Sequence, residues 1–326
     1  MTFAPTPVLH ADLANFVCFG EALTEMRRVG PSEWRSYCGG SPWKVAIATA
    51  RLGQLGAFAG GISKDAFGQE LWQCSVDAAL DLRFIQQFAR APLMAFLHDP
   101  VPPSYLYVGD DSADLHFRPH ALPAGWRHAL RWAHFGSISL TREPLAARLV
   151  ALAESLKDDG VRISYDPLYR LSMDSRYDRT LERMCKIADV IQVSEDDLCG
   201  LFRCRDYHLG LGQLAAWNPK AVVLLTLRER GAQLFHPKGD VSATGPKLPP
   251  PTDPGGLVDW MDAGDATTAG LLFSLMRTPD GEPEEHLRWA MATGAAASDG
   301  QGVHGLTYRR VEDLLEQVQV ARAELA

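Results

Sequence analysis

The sequence predicts an α/β protein built around one mostly parallel β-sheet. Short apolar segments alternate with longer amphipathic segments along most of the 326 residues, and this alternation is typical of successive βα units. The composition, 46% hydrophobic and 22% charged, is that of an ordinary globular protein with a sizeable core. We expect one large domain with an appendage, because α/β folds built on a single sheet reach this length.

The strands of this sheet are predicted where the chain has short apolar runs. These are FVCFG at 16–20, AFAGGI at 57–62, RWAHFGSI at 131–138, VRISYD at 161–166, DVIQV at 189–193 and AVVLLTL at 221–227. Amphipathic segments between and after the strands predict helices near 42–52, 67–80, 143–157, 174–187, 263–276 and 284–299.

Two stretches depart from this alternation and predict the appendage. Around 92–111, PLMAFLHDP and PSYLYVGDD alternate with a period of two and have no helix between them, which indicates an antiparallel pair of strands. The stretch 21–37 has a similar pattern, with Gly30-Pro31 as its turn. Such a ribbon could cover a cleft. The stretch 239–256 is rich in proline and glycine and is predicted to be a loop.

Charge and cysteine content argue against several classes of protein. The net charge is −8 and the basic residues are scattered among acidic ones, so a nucleic-acid partner is not expected. The six cysteines are too sparse for a disulfide framework and are expected to be reduced thiols. The N-terminal residues lack a basic segment and no apolar run is long enough to span a bilayer, so we expect a cytoplasmic protein without a membrane partner.

Some familiar cofactor motifs are weak or missing. GLGQLA at 210–215 fits the dinucleotide-binding fingerprint, but the residues before it do not form a convincing strand, so NAD binding is not expected. Cys199 and Cys204 have no companion ligands at zinc spacing.

The segment most suggestive of chemistry is DWMDAGDATTAGLLFSLM at 259–276, where Ala-Gly-Asp precedes a helical run. Free amides at a helix N-terminus bind anions, and Gly264 lets a ligand approach the backbone. Asp265 could accept a proton from an attacking hydroxyl. Asp262 and Asp265 also have the spacing of a capping box, so the segment taken alone favours a simple helix start.

Two pairs of adjacent glycines precede other predicted helices. CGGSPWKVAIATARLG at 38–53 contains Gly39 and Gly40, and GGISKDAFGQELW at 60–72 contains Gly60 and Gly61. Glycine pairs outside a hairpin suggest a close approach of the backbone to a ligand. Plain turns explain them equally well.

Seven segments occur together in a recognisable order. They are FGEALTEM, CGGSPWKVAIATARLG, GGISKDAFG, YDPLYR, VSEDDL, LLTLRERGAQLF and DAGDATTAGLL. In order and approximate spacing they resemble the PfkB-type, or ribokinase-like, carbohydrate kinases, and most of all the bacterial fructokinases. The resemblance covers nearly the whole chain.

This resemblance implies an architecture and an activity. The architecture is a ribokinase-like kinase domain over 1–326, a doubly wound αβα sandwich with a small β-sheet lid formed by about 21–37 and 92–118. The activity is transfer of a phosphoryl group from ATP, with magnesium, to a small sugar, of which fructose is favoured. The resemblance leaves open a monovalent cation such as potassium and a homodimer formed through the lid.

The resemblance also implies roles for individual residues. Asp265 would be the general base, and the amides of Ala263, Gly264 and Asp265 would form an anion hole for the phosphoryl group. The sugar would contact Glu25, Gly39, Gly40, Lys44 and Arg170, with Tyr105 and Tyr107 reaching in from the lid. The nucleotide would contact Gln192, Ser194, Thr226, Arg228, Gly231 and Asp262. Asp197 would bind magnesium, although Ser194 and the acidic residues after it also form a good helix cap.

Three positions on the sugar side depart from the family's pattern. Glu25 replaces an Asp, which adds a methylene and would push the carboxylate into the pocket. Lys44 replaces an asparagine and can donate but not accept hydrogen bonds. Leu168 replaces the Asn of Asp-Pro-Asn-x-Arg, although Asp166 and Arg170 remain.

Three further departures lie on the nucleotide side. Gln192 replaces a common lysine and so removes a positive charge near the phosphates. Arg228 replaces a glycine, and its side chain is expected to intrude where the backbone meets the phosphates. Asp262 replaces the first glycine of Gly-Ala-Gly-Asp, and its carboxylate is expected to repel ATP.

These departures leave two alternatives to a fructose kinase. One is a catalytically impaired relative that binds a sugar or a nucleotide. The other is a kinase for a sugar acid such as 2-keto-3-deoxygluconate, because Lys44 and Arg170 could pair with a substrate carboxylate.

Overall fold

A computed structural model describes residues 12–100, 103–246, 262–298 and 302–322. Fourteen strands lie in these ranges: β1 Phe16–Phe19, β2 Leu23–Arg28, β3 Trp34–Gly39, β4 Gly56–Ser63, β5 Ile85–Phe88, β6 Met94–Pro100, β7 Pro103–Val108, β8 Trp132–Gly136, β9 Arg162–Asp166, β10 Val190–Ser194, β11 Val222–Thr226, β12 Ala232–Phe235, β13 Val241–Thr244 and β14 Gln319–Arg322.

Ten α-helices lie in the same ranges. They are α1 Ser41–Arg51, α2 Ala66–Asp77, α3 Trp126–Ala129, α4 Leu145–Asp158, α5 Asp178–Ile187, α6 Glu195–Leu201, α7 Tyr207–Trp217, α8 Ala263–Arg277, α9 Pro283–Ala297 and α10 Tyr308–Leu315. None of the described helices is long and apolar enough to cross a membrane.

The main sheet has ten strands in the order β14-β13-β12-β11-β10-β9-β8-β1-β4-β5. The pairings from β11 through β10, β9, β8, β1 and β4 to β5 are all parallel. Strands β12, β13 and β14 add an antiparallel edge. Helices cover both faces, because alternate residues of a strand point in opposite directions. Phe16 and Cys18 of β1 face the core formed with α1, α8 and α9, whereas Val17 and Phe19 face the core formed with α4 and α5.

The predicted doubly wound αβα sandwich is therefore confirmed. All six predicted strands and all six predicted helices are present, with ends that differ by a few residues. The strand predicted at 131–138 ends at Gly136, because residues 137–140 form a short 3-10 helix in which Ser137 has a positive φ of 58°. GLGQLA lies inside α7 rather than after a strand. The six cysteines are free.

One prediction about a loop is wrong in part. Within 239–256, residues Val241–Thr244 form β13, which pairs with β12 and β14. Val241 and Ala243 are buried in the core while the residues between and after them face outward, and this two-residue period was obscured by the flanking glycines and prolines. The rest of that stretch from 247, like residues 1–11, lies outside the described residues.

A second, four-stranded sheet has the order β3-β2-β6-β7. Strands β2 and β3 form a hairpin, β6 and β7 form the predicted antiparallel pair, and β2 joins β6 in parallel. This small sheet contains most of 21–37 and the first part of 92–118. The last part of 92–118 instead contains a short 3-10 helix at Ala113–His116. Whether the small sheet acts as a lid stays a prediction.

Candidate active site

A pocket lies between the small sheet and the carboxyl ends of the central parallel strands. In open parallel sheets this end of the strands is where ligands bind. Glu21, Ser137 and Leu168 line it from the segments that follow β1, β8 and β9. Arg170 also lies in the segment after β9. The other lining residues come from the small sheet, the start of α1 and the start of α8: Leu23, Glu25, Ala95, Tyr105, Tyr107, Gly40, Ser41, Lys44, Gly264 and Asp265.

The start of α8 brings a carboxylate and free amides together. Asp265 lies in the first turn, is 7% exposed, and accepts a hydrogen bond of 2.5 Å at Oδ1 from Ser41 Oγ. Intrahelical bonding begins with the amide of Ala266, which donates to the Asp262 carbonyl. Within the described residues, the three preceding amides have no acceptor, as is usual for a helix N-terminus. The space beside Gly264 is open, so a ligand could approach the backbone there.

Burial raises the pKa of Asp265 to about 7. Lys44 and the Ser41 hydrogen bond act in the opposite direction, whereas Asp262 and Glu25 raise the pKa further. A carboxylate with a pKa near neutral pH can take up and release a proton under physiological conditions. Asp265 is thus a buried carboxylate at the pocket whose raised pKa suits proton uptake and release near neutral pH.

Four buried charged side chains form one ion cluster beside Asp265. Lys44 Nζ lies 2.7 Å from Glu25 Oε1 and 2.9 Å from Asp262 Oδ1. Arg27 donates to Glu25 Oε2 from Nη2 at 2.7 Å and from Nε at 3.1 Å. Burial alone would raise the pKa of Glu25, but Lys44 and Arg27 outweigh it and lower the pKa to about 2. Glu25 therefore lines the pocket as a carboxylate already held by two cations.

A cation and two aromatic rings form another part of the wall. Arg170 donates from Nε to the Tyr107 hydroxyl at 3.1 Å and from Nη1 to the Tyr169 carbonyl at 2.8 Å. Its guanidinium lies 5.1 Å from the centre of the Tyr105 ring, which stacks on Tyr107. Burial raises the pKa of Tyr105 to about 12. Among the described residues, no carboxylate forms an ion pair with Arg170.

Asp166 at the end of β9 is enclosed by hydrogen-bond donors. With its amide nitrogen turned toward Asp166, Gln192 donates to both carboxylate oxygens, at 2.9 Å to Oδ1. The amide of Leu168 also donates to Oδ1, at 3.1 Å. Burial, then the charges of Asp197 and Asp265, raise the pKa of Asp166 well above its usual value. Gln192 is 4% exposed and does not line the pocket.

Four further residues predicted to contact the nucleotide lie at or after the ends of β10 and β11, outside the pocket lining: Ser194, Thr226, Arg228 and Gly231. Ser194 and Thr226 are neighbours across these strands. Gly231 has a φ of 94°, and a Cβ there would lie 1.9 Å from the Ala243 carbonyl oxygen, so only glycine fits. Arg228 also has a positive φ, 53°, but its side chain turns toward α6 and pairs with Asp196. The expected intrusion of this side chain is therefore not seen here.

Asp197, predicted to bind magnesium, caps α6 instead of standing free. Oδ2 accepts hydrogen bonds from Ser194 N at 2.8 Å and Oγ at 2.6 Å, and Oδ1 accepts one from the Tyr169 amide at 2.7 Å. Three of its four lone-pair positions are thus used. Within the described ranges, no group of three candidate side chains could hold a metal. The residue fits a magnesium ion only through bridging water, which that ion commonly retains.

Three polar pocket residues were missed by the sequence interpretation, as were the apolar residues Leu23 and Ala95. Glu21 is 1% exposed and accepts hydrogen bonds from the amide, at 3.2 Å, and the hydroxyl of Ser139. Ser41 bonds Asp265 across 224 sequence positions, and Ser137 enters through its left-handed backbone. Glu21 and Ser41 lie inside two of the segments that carry the family resemblance, FGEALTEM and CGGSPWKVAIATARLG, and this was the available signal. Nothing local predicted their hydrogen-bond partners.

Comparison with known proteins gives a consistent result. Residues 13–305 match the pfkB family of carbohydrate kinases. The chain is 29% identical over 295 residues to a fructokinase of Klebsiella pneumoniae, covering 87% of this chain and 92% of that protein. It is 28% identical over 296 residues to a fructokinase of Escherichia coli, with coverages of 87% and 92%.

Solved structures agree with this match. A fructokinase from Vibrio cholerae O395 with fructose, ADP and a calcium ion superposes with a TM-score of 0.79 at 25% identity, over 93% of this chain and 99% of that one. A fructokinase with bound ATP from Xylella fastidiosa gives a TM-score of 0.80 at 24% identity, with coverages of 93% and 99%. The expected ribokinase-like fold is confirmed.

Proposed function

Since this chain belongs to the pfkB family of carbohydrate kinases and is thus a sugar phosphotransferase, we propose that Asp265 is its general base. The observation that carries this proposal is the placement of Asp265, a buried carboxylate in the first turn of α8 that faces the pocket. The amides before it are the anion-binding group that phosphoryl transfer requires.

The proposed reaction moves the γ-phosphoryl group of ATP to a sugar hydroxyl. Asp265 accepts the proton of that hydroxyl, while Ser41 holds the carboxylate by its 2.5 Å hydrogen bond. The amides of Ala263, Gly264 and Asp265 bind the oxygens of the transferred group. Magnesium, when bound with ATP, offsets the phosphate charges. Thr226 and Ser194 are proposed to face the nucleotide because they pair at the ends of neighbouring strands, and Gly231 because it ends the turn that follows β11.

Fructose is the proposed acceptor, in line with the fructokinases among the relatives and the fructose in the Vibrio cholerae structure. The proposed contacts are Lys44, Glu25, Arg170, Tyr105 and Tyr107, which all line the pocket. An aminoimidazole riboside kinase of Salmonella typhimurium is also 28% identical over 259 residues.

A sugar acid is the second candidate acceptor. Arg170 lines the pocket without an ion-pair partner among the described residues, so a substrate carboxylate could pair with it. Lys44 is a weaker candidate for that role than expected from the sequence, because Glu25 and Asp262 already neutralise it.

The deciding experiment is an ADP-release assay with magnesium and ATP against fructose, 2-keto-3-deoxygluconate and nucleosides. We expect fructose to give the highest kcat/KM, and Asp265→Asn to lower kcat by about 100-fold or more. Asp158→Asn, at an exposed site at the end of α4, is the matched control and should leave kcat unchanged. Unchanged turnover in Asp265→Asn would exclude this mechanism. Calorimetric ATP binding without product from any acceptor would instead identify an impaired relative.

A homodimer through the small sheet is also proposed. Leu106 and Val108 of β7 are 63% and 49% exposed, and Trp34 of β3 is 38% exposed. Exposed apolar side chains that cluster on one surface favour a protein partner.

A further inference from the structure

Three departures from the family's sequence pattern meet in one place. Glu25 lies on β2, Lys44 on α1 and Asp262 at the start of α8, yet Lys44 contacts both carboxylates, at 2.7 and 2.9 Å. Arg27 completes the ion cluster by binding the second oxygen of Glu25 at 2.7 Å. All four side chains are at most 7% exposed. Substitutions that looked independent in the sequence are therefore in direct contact.

The cluster is electrically balanced. Two cations face two carboxylates, and Lys44 is the residue that joins the two carboxylates to each other. Removing one member of a buried ion pair leaves an uncompensated charge, which destabilises strongly, whereas replacing the whole group can be neutral. The three substitutions are consequently expected to depend on one another.

Asp262 is the member nearest to the proposed phosphoryl site. It occupies the N-cap of α8, where an aspartate commonly accepts hydrogen bonds from the first amides of the helix. Here its side chain makes no such bond. Oδ1 faces Lys44, and Oδ2 accepts a hydrogen bond of 3.1 Å from the Val303 amide.

The backbone at 302–303 is shaped for this orientation of Asp262. A Cβ on Gly302 would lie 2.1 Å from Asp262 Oδ2, and Gly302 has a positive φ of 56°. Two contacts on opposite oxygens thus turn the carboxylate away from the amides of the first turn of α8.

We propose that Lys44 is a positioning residue that keeps the N-terminus of α8 open to the transferred phosphoryl group by holding the carboxylate of Asp262 aside. Glu25 and Arg27 support this role by fixing Lys44 from the other side. The inference rests on the proposed function, because it assigns the amides of 263–265 to the phosphoryl group. On this proposal Lys44 reduces the repulsion that the Asp262 carboxylate is expected to exert on ATP, because the carboxylate is paired and turned away.

The same arrangement changes what the pocket offers an acceptor. The Lys44 ammonium has three N–H donors, one of which hydrogen-bonds to Glu25, while Asp262 Oδ1 is held as an ion pair and not by a hydrogen bond. A remaining donor can reach an acceptor oxygen in the pocket, which Lys44 lines. Both oxygens of Glu25 already accept hydrogen bonds from Lys44 and Arg27. The part of the pocket wall formed by Glu25 and Lys44 therefore donates hydrogen bonds more readily than it accepts them.

A double-mutant cycle tests the positioning role. Lys44→Asn and Asp262→Gly restore the family's residues singly and together, and Lys64→Asn, at an exposed lysine, is the matched control. Calorimetry compares binding of the β,γ-imido analogue of ATP with binding of ADP, which lacks the γ-phosphate. A general loss of structure would weaken the binding of both ligands alike. A misplaced Asp262 carboxylate should weaken the binding of the analogue but not that of ADP.

We expect Lys44→Asn to weaken analogue binding by about ten-fold or more relative to ADP, because the freed carboxylate competes for the amides and repels the phosphate. The double variant should recover most of that loss. Equal effects on both ligands, or no recovery in the double variant, would overturn the proposal.

A second variant covers the case in which Lys44→Asn does not fold. Asp262→Asn removes the charge that Lys44 restrains and should tighten analogue binding about two-fold or more. Weaker binding in this variant would also overturn the proposal. If the unaltered protein phosphorylates a sugar but the effects of Lys44→Asn and Asp262→Gly on analogue binding simply add, only this inference fails. If the unaltered protein neither binds the analogue nor forms product, the proposed function fails instead.

Discussion

At the scale of single residues, the proton chemistry of the site depends on what surrounds Asp265. Burial raises the pKa of its carboxyl to about 7, and the charge of Lys44 and the Ser41 hydrogen bond keep it from rising further. A general base must be ionised to act, so activity should rise with pH as this group loses its proton. The acid limb of kcat/KM, which reports groups of the free enzyme, is therefore expected near pH 7.

Removing the Ser41 hydroxyl should shift the acid limb of the pH profile in one direction only. Ser41→Ala removes a hydrogen bond that favours the charged carboxylate, so the pKa of Asp265 should rise and the acid limb should move to higher pH. A typical hydrogen bond corresponds to a shift of about half to one pH unit. The measurement is the pH profile of kcat/KM, with Ser175→Ala at an exposed serine as the control. A limb that stays in place or moves to lower pH would contradict the role given to Ser41.

Leu168 illustrates a departure whose physical effect lies in the backbone. Its φ is 46°, in the left-handed region, where a leucine is strained and an asparagine is better tolerated. The Asn of the family's Asp-Pro-Asn-x-Arg pattern fits this conformation. Leu168→Asn should therefore raise the free energy of unfolding by about 0.5 to 1 kcal/mol.

Chemical denaturation measures this effect. Leu171→Asn is the matched control, because Leu171 is 87% exposed and lacks a positive φ. Its replacement should leave the free energy of unfolding nearly unchanged. A lower stability in Leu168→Asn would show that side-chain packing outweighs the backbone strain.

At the scale of elements, the sequence predicted best those strands in which every residue is buried. Every residue of β1 and β4 is buried, so these strands are uninterrupted apolar runs. Strands β5, β12, β13 and β14 have only four residues each and are partly exposed. Their apolar pattern is too short to separate from that of a loop, and their pairing depends on neighbours distant in the chain.

The active site was predicted only as far as its motifs reach. The diglycine and the Ala-Gly-Asp segment located Gly40 and Asp265 correctly in the pocket. The ion cluster was not foreseen, because Glu25, Lys44 and Asp262 were weighed one at a time at positions far apart in the sequence. Only the packing of β2, α1 and α8 shows that their charges cancel.

At the scale of the whole molecule, the small sheet separates two environments. Tyr105 and Tyr107 of β7 line the pocket, and the alternation of a strand places Leu106 and Val108 on the opposite face. The six exposed large hydrophobic side chains among the described residues are Val29, Trp34, Leu106, Val108, Leu171 and Leu209. The first four belong to the small sheet or its β2–β3 turn, so the exposed apolar surface is concentrated there.

Burial of this face in a homodimer predicts a change of mass in solution. Sedimentation should give the unaltered protein twice the 35.8 kDa mass of one chain. Leu106→Lys with Val108→Lys should give the monomer, because two buried charges without partners oppose association. Leu209→Lys is the matched control, since Leu209 is 66% exposed on α7 rather than on the small sheet. A monomeric unaltered protein, or an equal effect of Leu209→Lys, would contradict the dimer.

Because Tyr105 and Tyr107 alternate with the substituted residues, loss of the dimer should also raise KM for the sugar more than it lowers kcat.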